Sequence, residues 1–194
     1  MNRTVISLLA GAALAASAWG VSLLQGAPDV AARLRAQREA LDPFAMLDGE
    51  WRGDAWTLKP DGSRHELTQT ERIGPMLDGS VRVIEGRGYE SDGSVGFNAL
   101  AILSFDPDKK ALSMRSYAQG RSGDFPVKLT SGGFQWEMPV GPATIRYSVT
   151  IEGDSWHEIG EYLVPGQEPR PILEMTLTRL GDCAWPAAGA VGAK

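Results

Sequence analysis

Acid–base or metal chemistry in this chain would fall to two histidines and a few carboxylates. His157 stands beside Glu158, just after a Gly153-Asp154 turn, and could serve as a base. His65 follows an early turn and sits in a polar stretch with Glu66, Gln69, Glu71 and Arg72. Neither belongs to a His-x-His or His-Glu-x-x-His spacing, so rim histidines are expected and no metal site. Glu174 is the carboxylate with most at stake. It lies in the middle of a predicted strand near the C-terminus, where an inward carboxylate needs a partner. Glu174 with His157 or Arg146 is the candidate for proton transfer. No Gly-x-Ser-x-Gly elbow or phosphate loop is present, and Gly120-Arg121-Ser122-Gly123 reads as a turn.

These side chains need a scaffold, and beyond Gly49 the sequence alternates with period two. Turn signals recur at Pro60-Asp61-Gly62-Ser63, Leu77-Asp78-Gly79, Ser91-Asp92-Gly93-Ser94, Asp106-Pro107-Asp108-Lys109 and on to Pro165-Gly166. They bound about ten strands near 50–59, 64–73, 80–90, 95–105, 111–119, 124–130, 133–139, 143–152, 155–164 and 171–180. Hairpin-length links imply an all-β, up-and-down antiparallel barrel, because a curled sheet of that size closes to remove its edges. Ile145, Tyr147, Val149 and Ile151 share one face, and Leu173, Met175 and Leu177 another. Leu100 and Ile102 make the fourth strand apolar on both faces, so it needs an outer cover: the N-terminal helix or a second copy in a homodimer. Glu85-Gly86-Arg87-Gly88 reads as a bulge or barrel corner.

Upstream, 28–46 is an N-terminal helical segment, with Pro28 suited to a first turn, Val30, Leu34 and Leu41 at roughly helical spacing, and Pro43 as its stop. Residues 1–18 have the form of a signal peptide: Arg3, an apolar Val5–Ala16 core, and Ala16-Ser17-Ala18 as the cleavage site. The alternative is an uncut membrane anchor over 5–24. Both put the folded part outside the cytoplasm, periplasmic or secreted. Cys183 is the only cysteine, so no internal disulfide forms, and it opens a tail over 183–194 expected to be disordered. The net charge of −5 and the lack of a basic cluster argue against nucleic acid.

Gly49-x-Trp51 with a late Arg179 resembles the lipocalin-like (calycin) barrels, in which the Trp closes the base and the Arg packs over it. Gly49-x-Trp51-x-Gly53 is also similar to the opening of nitrobindin-type haem barrels. The whole run, with Arg115-Ser116-Tyr117, Ile145-Arg146-Tyr147 and Glu174-Met175-x-Leu177-x-Arg179, most resembles an uncharacterised bacterial family of secreted lipocalin-like domains. The resemblance covers most of 47–182 and implies Gly49, Trp51 and Arg179 as barrel closure. Alignment on Leu177-Thr178-Arg179 puts Ile172 where haem barrels carry their ligating His, which disfavours haem.

The resulting expectation is a barrel that binds a small apolar or amphipathic molecule. Trp51, Trp136 and Met175 are its candidate lining, and Tyr117, Arg146, Glu158 and Glu174 its candidate polar contacts. The alternatives are a cavity enzyme of isomerase, cyclase or lyase type and an envelope assembly module. The parity of the last strand stays open: the apolar pattern turns Glu174 outward, whereas the haem-barrel alignment turns it inward.

Overall fold

A computed structural model describes residues 22–187. Helix α1 (Ser22–Leu41) leads through a 3-10 helix (Asp42–Leu47) into ten strands. They are β1 (Gly49–Leu58), β2 (Arg64–Met76), β3 (Val81–Tyr89), β4 (Val95–Asp106), β5 (Ala111–Ala118), β6 (Arg121–Thr130), β7 (Gly133–Val140), β8 (Ala143–Glu152), β9 (Ser155–Leu163) and β10 (Arg170–Gly181). Each strand pairs antiparallel with its sequence neighbour, and β1 pairs with β10 to close the barrel. The expected up-and-down order holds, since no connection between strands exceeds hairpin length.

The helical segment departs from expectation. α1 begins at Ser22, so Pro28 falls inside it rather than in its first turn. Val30 and Leu34 are exposed, and of the expected stripe only Leu41 enters the core. Pro43 stands at the start of the 3-10 helix and marks the change of helix type. Among the described residues no helix is long and apolar enough to cross a membrane. Residues 1–18 and most of the 5–24 segment lie outside the described residues.

One end of the barrel is sealed. Leu41, Phe44 and Leu47 are fully buried and join Trp51, Ile73, Leu103, Phe134, Trp156 and Leu177 in one apolar floor. Polar bonds fix its position. Trp51 Nε1 donates to the Leu47 carbonyl at 2.8 Å. Buried Arg82 grips both Asp48 carboxylate oxygens at 2.7 and 2.8 Å and donates to the Leu41 carbonyl at 2.5 Å. In residues 33–41, Arg33 pairs with Asp108 and Gln37 bonds the Phe105 carbonyl, so this stretch lies along the β4–β5 hairpin at the same end.

The fourth strand keeps its two apolar faces, and the wall itself provides much of the outer cover. Outward Leu100 and Ile102 are half-buried, and they neighbour Glu85 and Val83 on β3 and Tyr117 and Arg115 on β5. Long side chains shield such apolar surface with their stems. The first part of the tail, expected to be disordered, is placed against the wall. The Arg72 guanidinium lies 4.6 Å from the Trp185 ring centre, and the Trp185 carbonyl rests where Gly74 leaves no side chain. Cys183 is half-buried, its sulfur 3.9 Å from the Ile73 carbonyl oxygen. Residues 188–194 lie outside the described residues.

Candidate functional site

Period two and the observed register assign every strand residue to a side of the wall. Trp51 faces in; across the β1–β10 seam it opposes Arg179, and Ala55 opposes Met175. Met175 opposes Glu158, which opposes Val149, which opposes Phe134. Glu158, Trp136, Tyr147 and Met175 are therefore lumen residues. Glu174 pairs with Trp56 and Ile159, and it faces out with Thr176 and Thr178. The apolar pattern of Leu173, Met175 and Leu177 gave the right parity. The haem-barrel alignment did not, because Ile172 is an extra, bulged residue between Pro171 and Leu173 and breaks the count.

The expected polar cluster around Glu174 is accordingly not assembled. Arg146 lies on the outer wall and pairs with Glu137 at 2.9 Å. Tyr117 is exposed and lies under Arg115, which pairs with Asp124. Glu174 sits between His157 Nε2 and Trp56 Nε1, each 3.1 Å away, and Arg64 stacks over Trp56 at 3.8 Å. The hydrogen bonds from His157 and Trp56 hold the Glu174 carboxyl below its ordinary range. Glu174 and Trp56 form part of an open cavity of about 520 Å³ that is lined also by outward Asp54 and Glu66 and by inward Ala55 and Leu67. His65, expected to be exposed, is half-buried and reaches both Glu90 oxygens at 3.0 Å.

The barrel-closure residues meet at the floor in an altered arrangement. Arg179 donates to the Asp48 carbonyl at 3.0 and 3.3 Å and pairs with Asp182, and no cation–π contact with Trp51 appears among the described residues. The Trp51 ring instead meets Trp156 edge-on at 5.7 Å. Gly49 adopts φ +125°, and a side chain there would strike the Gly181 carbonyl oxygen and the Arg179 guanidinium. Glycine is thus the residue that lets the arginine approach.

Inside the lumen the structure adds a residue that sequence reasoning passed over. Glu71 on β2 faces in, opposite Trp51 and Gly86. Gly86 makes room for it, since a Cβ at that position would lie 2.5 Å from a Glu71 carboxyl oxygen. Gln69 donates to the same carboxyl at 2.7 Å. Burial pushes the Glu71 carboxyl up to about 8, with a further push from the charges of Glu158 and Glu85, while the Gln69 hydrogen bond opposes it. Burial likewise raises Glu158 to about 7, opposed by the nearby Trp156 and Trp136 indoles. Those indoles are close to the carboxyl without making well-aligned bonds, and Trp156 Nε1 is buried with no partner. Tyr147 is pushed up to about 12 by burial and by the charge of Glu158. Trp136 and Tyr147 stack at 4.0 Å and 8°.

Glu71 and Glu158 are surrounded by protein, yet both keep some accessible surface. So do inward Ala55, Trp136, Tyr147 and Leu173. Packed core does not leave accessible surface at so many neighbouring positions. A lined space above the floor does. Tyr147 and Leu173 also line an open cavity of about 440 Å³ at the opposite end, with Lys59, Tyr162 and Arg170 on its rim. Among the described residues, no group of three or more His, Cys, Asp or Glu side chains could hold a metal ion.

The fold is a closed, ten-strand, up-and-down antiparallel β-barrel. It is similar to the crystal structure of Rv2717c from M. tuberculosis, with a TM-score of 0.55 and 14% identity over 73% of this chain and 98% of that one. It is also similar to the S-type phycobiliprotein lyase CPES from Guillardia theta, with a TM-score of 0.51 and 10% identity over 74% and 94%. At such identities the likeness establishes architecture and no chemistry. No family model and no curated protein matches the sequence.

Proposed function

We propose that this chain binds a small apolar or amphipathic molecule in its barrel lumen, outside the cytoplasm. The observation that carries the reading is the band of inward side chains, Ala55, Trp136, Tyr147, Glu158 and Leu173, that stay accessible above a sealed floor. Ligand cavities of this kind combine aromatic lining with a few polar groups, and here Glu71, Gln69 and Glu158 supply them. Glu158, Trp136 and Met175 remain site residues in this reading; Tyr117, Arg146 and Glu174 do not, because they lie outside. Native mass spectrometry of the protein from its source is the test. Retained small-molecule mass that Ala55→Trp abolishes supports the reading; an empty barrel that also excludes apolar dyes contradicts it. The location follows from the signal-like N-terminus, and a mature chain beginning after Ala18 would support cleavage, whereas intact Met1 in the membrane fraction would favour the anchor.

A second reading has an observation of its own. Two enclosed carboxyls held near neutrality are suited to general acid–base work, so an enzyme would use Glu158 and Glu71, not Glu174 and His157. Turnover that Glu158→Gln abolishes and Glu174→Gln spares would favour it.

A further inference from the structure

The lumen carries acid without a matching base. Four cationic side chains have inward parity, Arg82, Arg121, Arg170 and Arg179, and among the described residues no ion pair joins any of them to either carboxyl. Arg121 is exposed beside the β5–β6 turn, and inward His65 is held by Glu90. Arg82 is held by Asp48 in the floor, Arg179 by the Asp48 carbonyl and Asp182, and Arg170 lies over Tyr162 at the rim. Lys59 also belongs to the rim. The groups that face the two carboxyls are Gln69 beside Glu71, and Trp136, Trp156 and Tyr147 around Glu158. Glu85 adds a further negative charge through the β3 wall. None of these can neutralise a carboxylate.

A second observation stands beside the acidic pair. The Trp156 indole N–H is buried near Glu158 without a hydrogen-bond acceptor in place. A buried donor left unpaired costs about 1–3 kcal/mol, and an ionised Glu158 turned toward it would satisfy it. The stacked faces of Trp136 and Tyr147 lie next to the same carboxyl, and aromatic faces attract cations.

We infer that the lumen takes an amphipathic organic cation, an alkylammonium in chemical class, with its charge beside Glu158 and Glu71 and its apolar part along Trp136, Tyr147 and Met175. The inference rests on the lumen-binding reading and names the ligand class for it. The cation ionises Glu158, whose carboxylate accepts from the two indoles while Glu71 keeps its proton, and the apolar part of the ligand lies along the aromatic lining. Because burial favours the protonated form of Glu158, its ionisation on uptake of the cation releases one proton to solvent.

Calorimetry with hexylammonium, hexanol and hexanoate on the folded protein at about pH 6 separates the outcomes. The expected result is hexylammonium bound at least about tenfold more tightly than hexanol, with hexanoate weakest. Titrations in two buffers of different ionisation enthalpy should show close to one proton released per ammonium bound. Glu158→Gln should lose the preference and the proton release while still binding hexanol, which certifies its fold. Glu71→Gln, which keeps that position neutral, and the outer-wall variant Glu174→Gln should lose neither. Equal or tighter binding of hexanol or hexanoate overturns the cation inference and leaves the lumen reading standing. Failure of all three probes to bind overturns both.

Discussion

Glu158 and Glu174 lie on neighbouring strands of one wall, about one residue out of register, and they live in opposite environments. Glu158 faces the lumen beside indole and phenol rings, where burial favours its neutral form. Glu174 faces water with a histidine and an indole donating to it, and those bonds favour its charged form. The same contrast runs along β10, where buried Met175 and exposed Thr176 are adjacent. One step along a strand thus exchanges a cavity for solvent. Carboxylate chemistry in this barrel depends on parity far more than on position along the chain.

Truncating the two faces of β10 probes the contrast with the largest effect. Met175→Ala should cost about 2–5 kcal/mol, as for a buried aliphatic side chain, and Thr176→Ala should stay within about 0.5 kcal/mol; urea unfolding of both measures the gap. The contrast narrows to nothing if the costs are equal. The next effect depends on pH. Glu71 and Glu158 have folded pKa values above their unfolded ones, so the folded chain holds protons that the unfolded chain has released. Their penalty is absent below about pH 4.5 and grows as pH rises through 7 to about 8, so stability falls across that window. Glu71→Gln should then be more stable than wild type at about pH 8.5, by on the order of a few kcal/mol, and nearly equal to it at about pH 4. Thermal melts at the two pH values check this.

A smaller effect should follow at Gly86. Gly86→Ala pushes on the Glu71 carboxyl, whose flexible end can yield, so a loss of about 1 kcal/mol is expected, along with a changed Glu71 titration. Least of all, Glu174→Gln on the outer wall should change stability by less than about 1 kcal/mol. Its lowered pKa has the opposite sign: the contribution is present above the ordinary carboxylate range and is lost as pH falls through the folded value. A melt series from neutral to acid pH should therefore show Glu174→Gln approaching wild type while Glu71→Gln does the same from its stabilised side.

The barrel was legible in the sequence because turn signals and alternation agree over most of its length, and hairpin-length links leave only one simple topology. The site was half legible. Glu158, Trp136 and Met175 sit on strands with one clearly apolar face, and that face is the lumen. Glu71 was hidden because β2 reads as polar on both sides; Gln69 and Glu71 break its inner face between Leu67 and Ile73. The signal that could have exposed it lies across the hairpin, where Gly86 and Gly88 oppose Glu71 and Gln69 and make room for them. Those glycines read as a bulge, and the register does shift there, but only between Gly88 and Tyr89. For Glu174 the two parities left open are decided by the register, since the irregularity at Ile172 breaks the count carried over from similar barrels. Tyr117 and Arg146 stand in the sequence as its candidate polar partners, although the alternation of their own strands turns both outward.

Site-resolved carboxyl titration by NMR, with carbon-labelled glutamate, tests the central claim most directly. Assignment through Glu71→Gln, Glu158→Gln and Glu174→Gln separates the three groups. Glu71 and Glu158 should titrate near 8 and 7, and Glu174 below the ordinary value of 4.5. Inner carboxyls that titrate together with Glu174 in the acid range would contradict a lumen in which burial favours the neutral carboxyl.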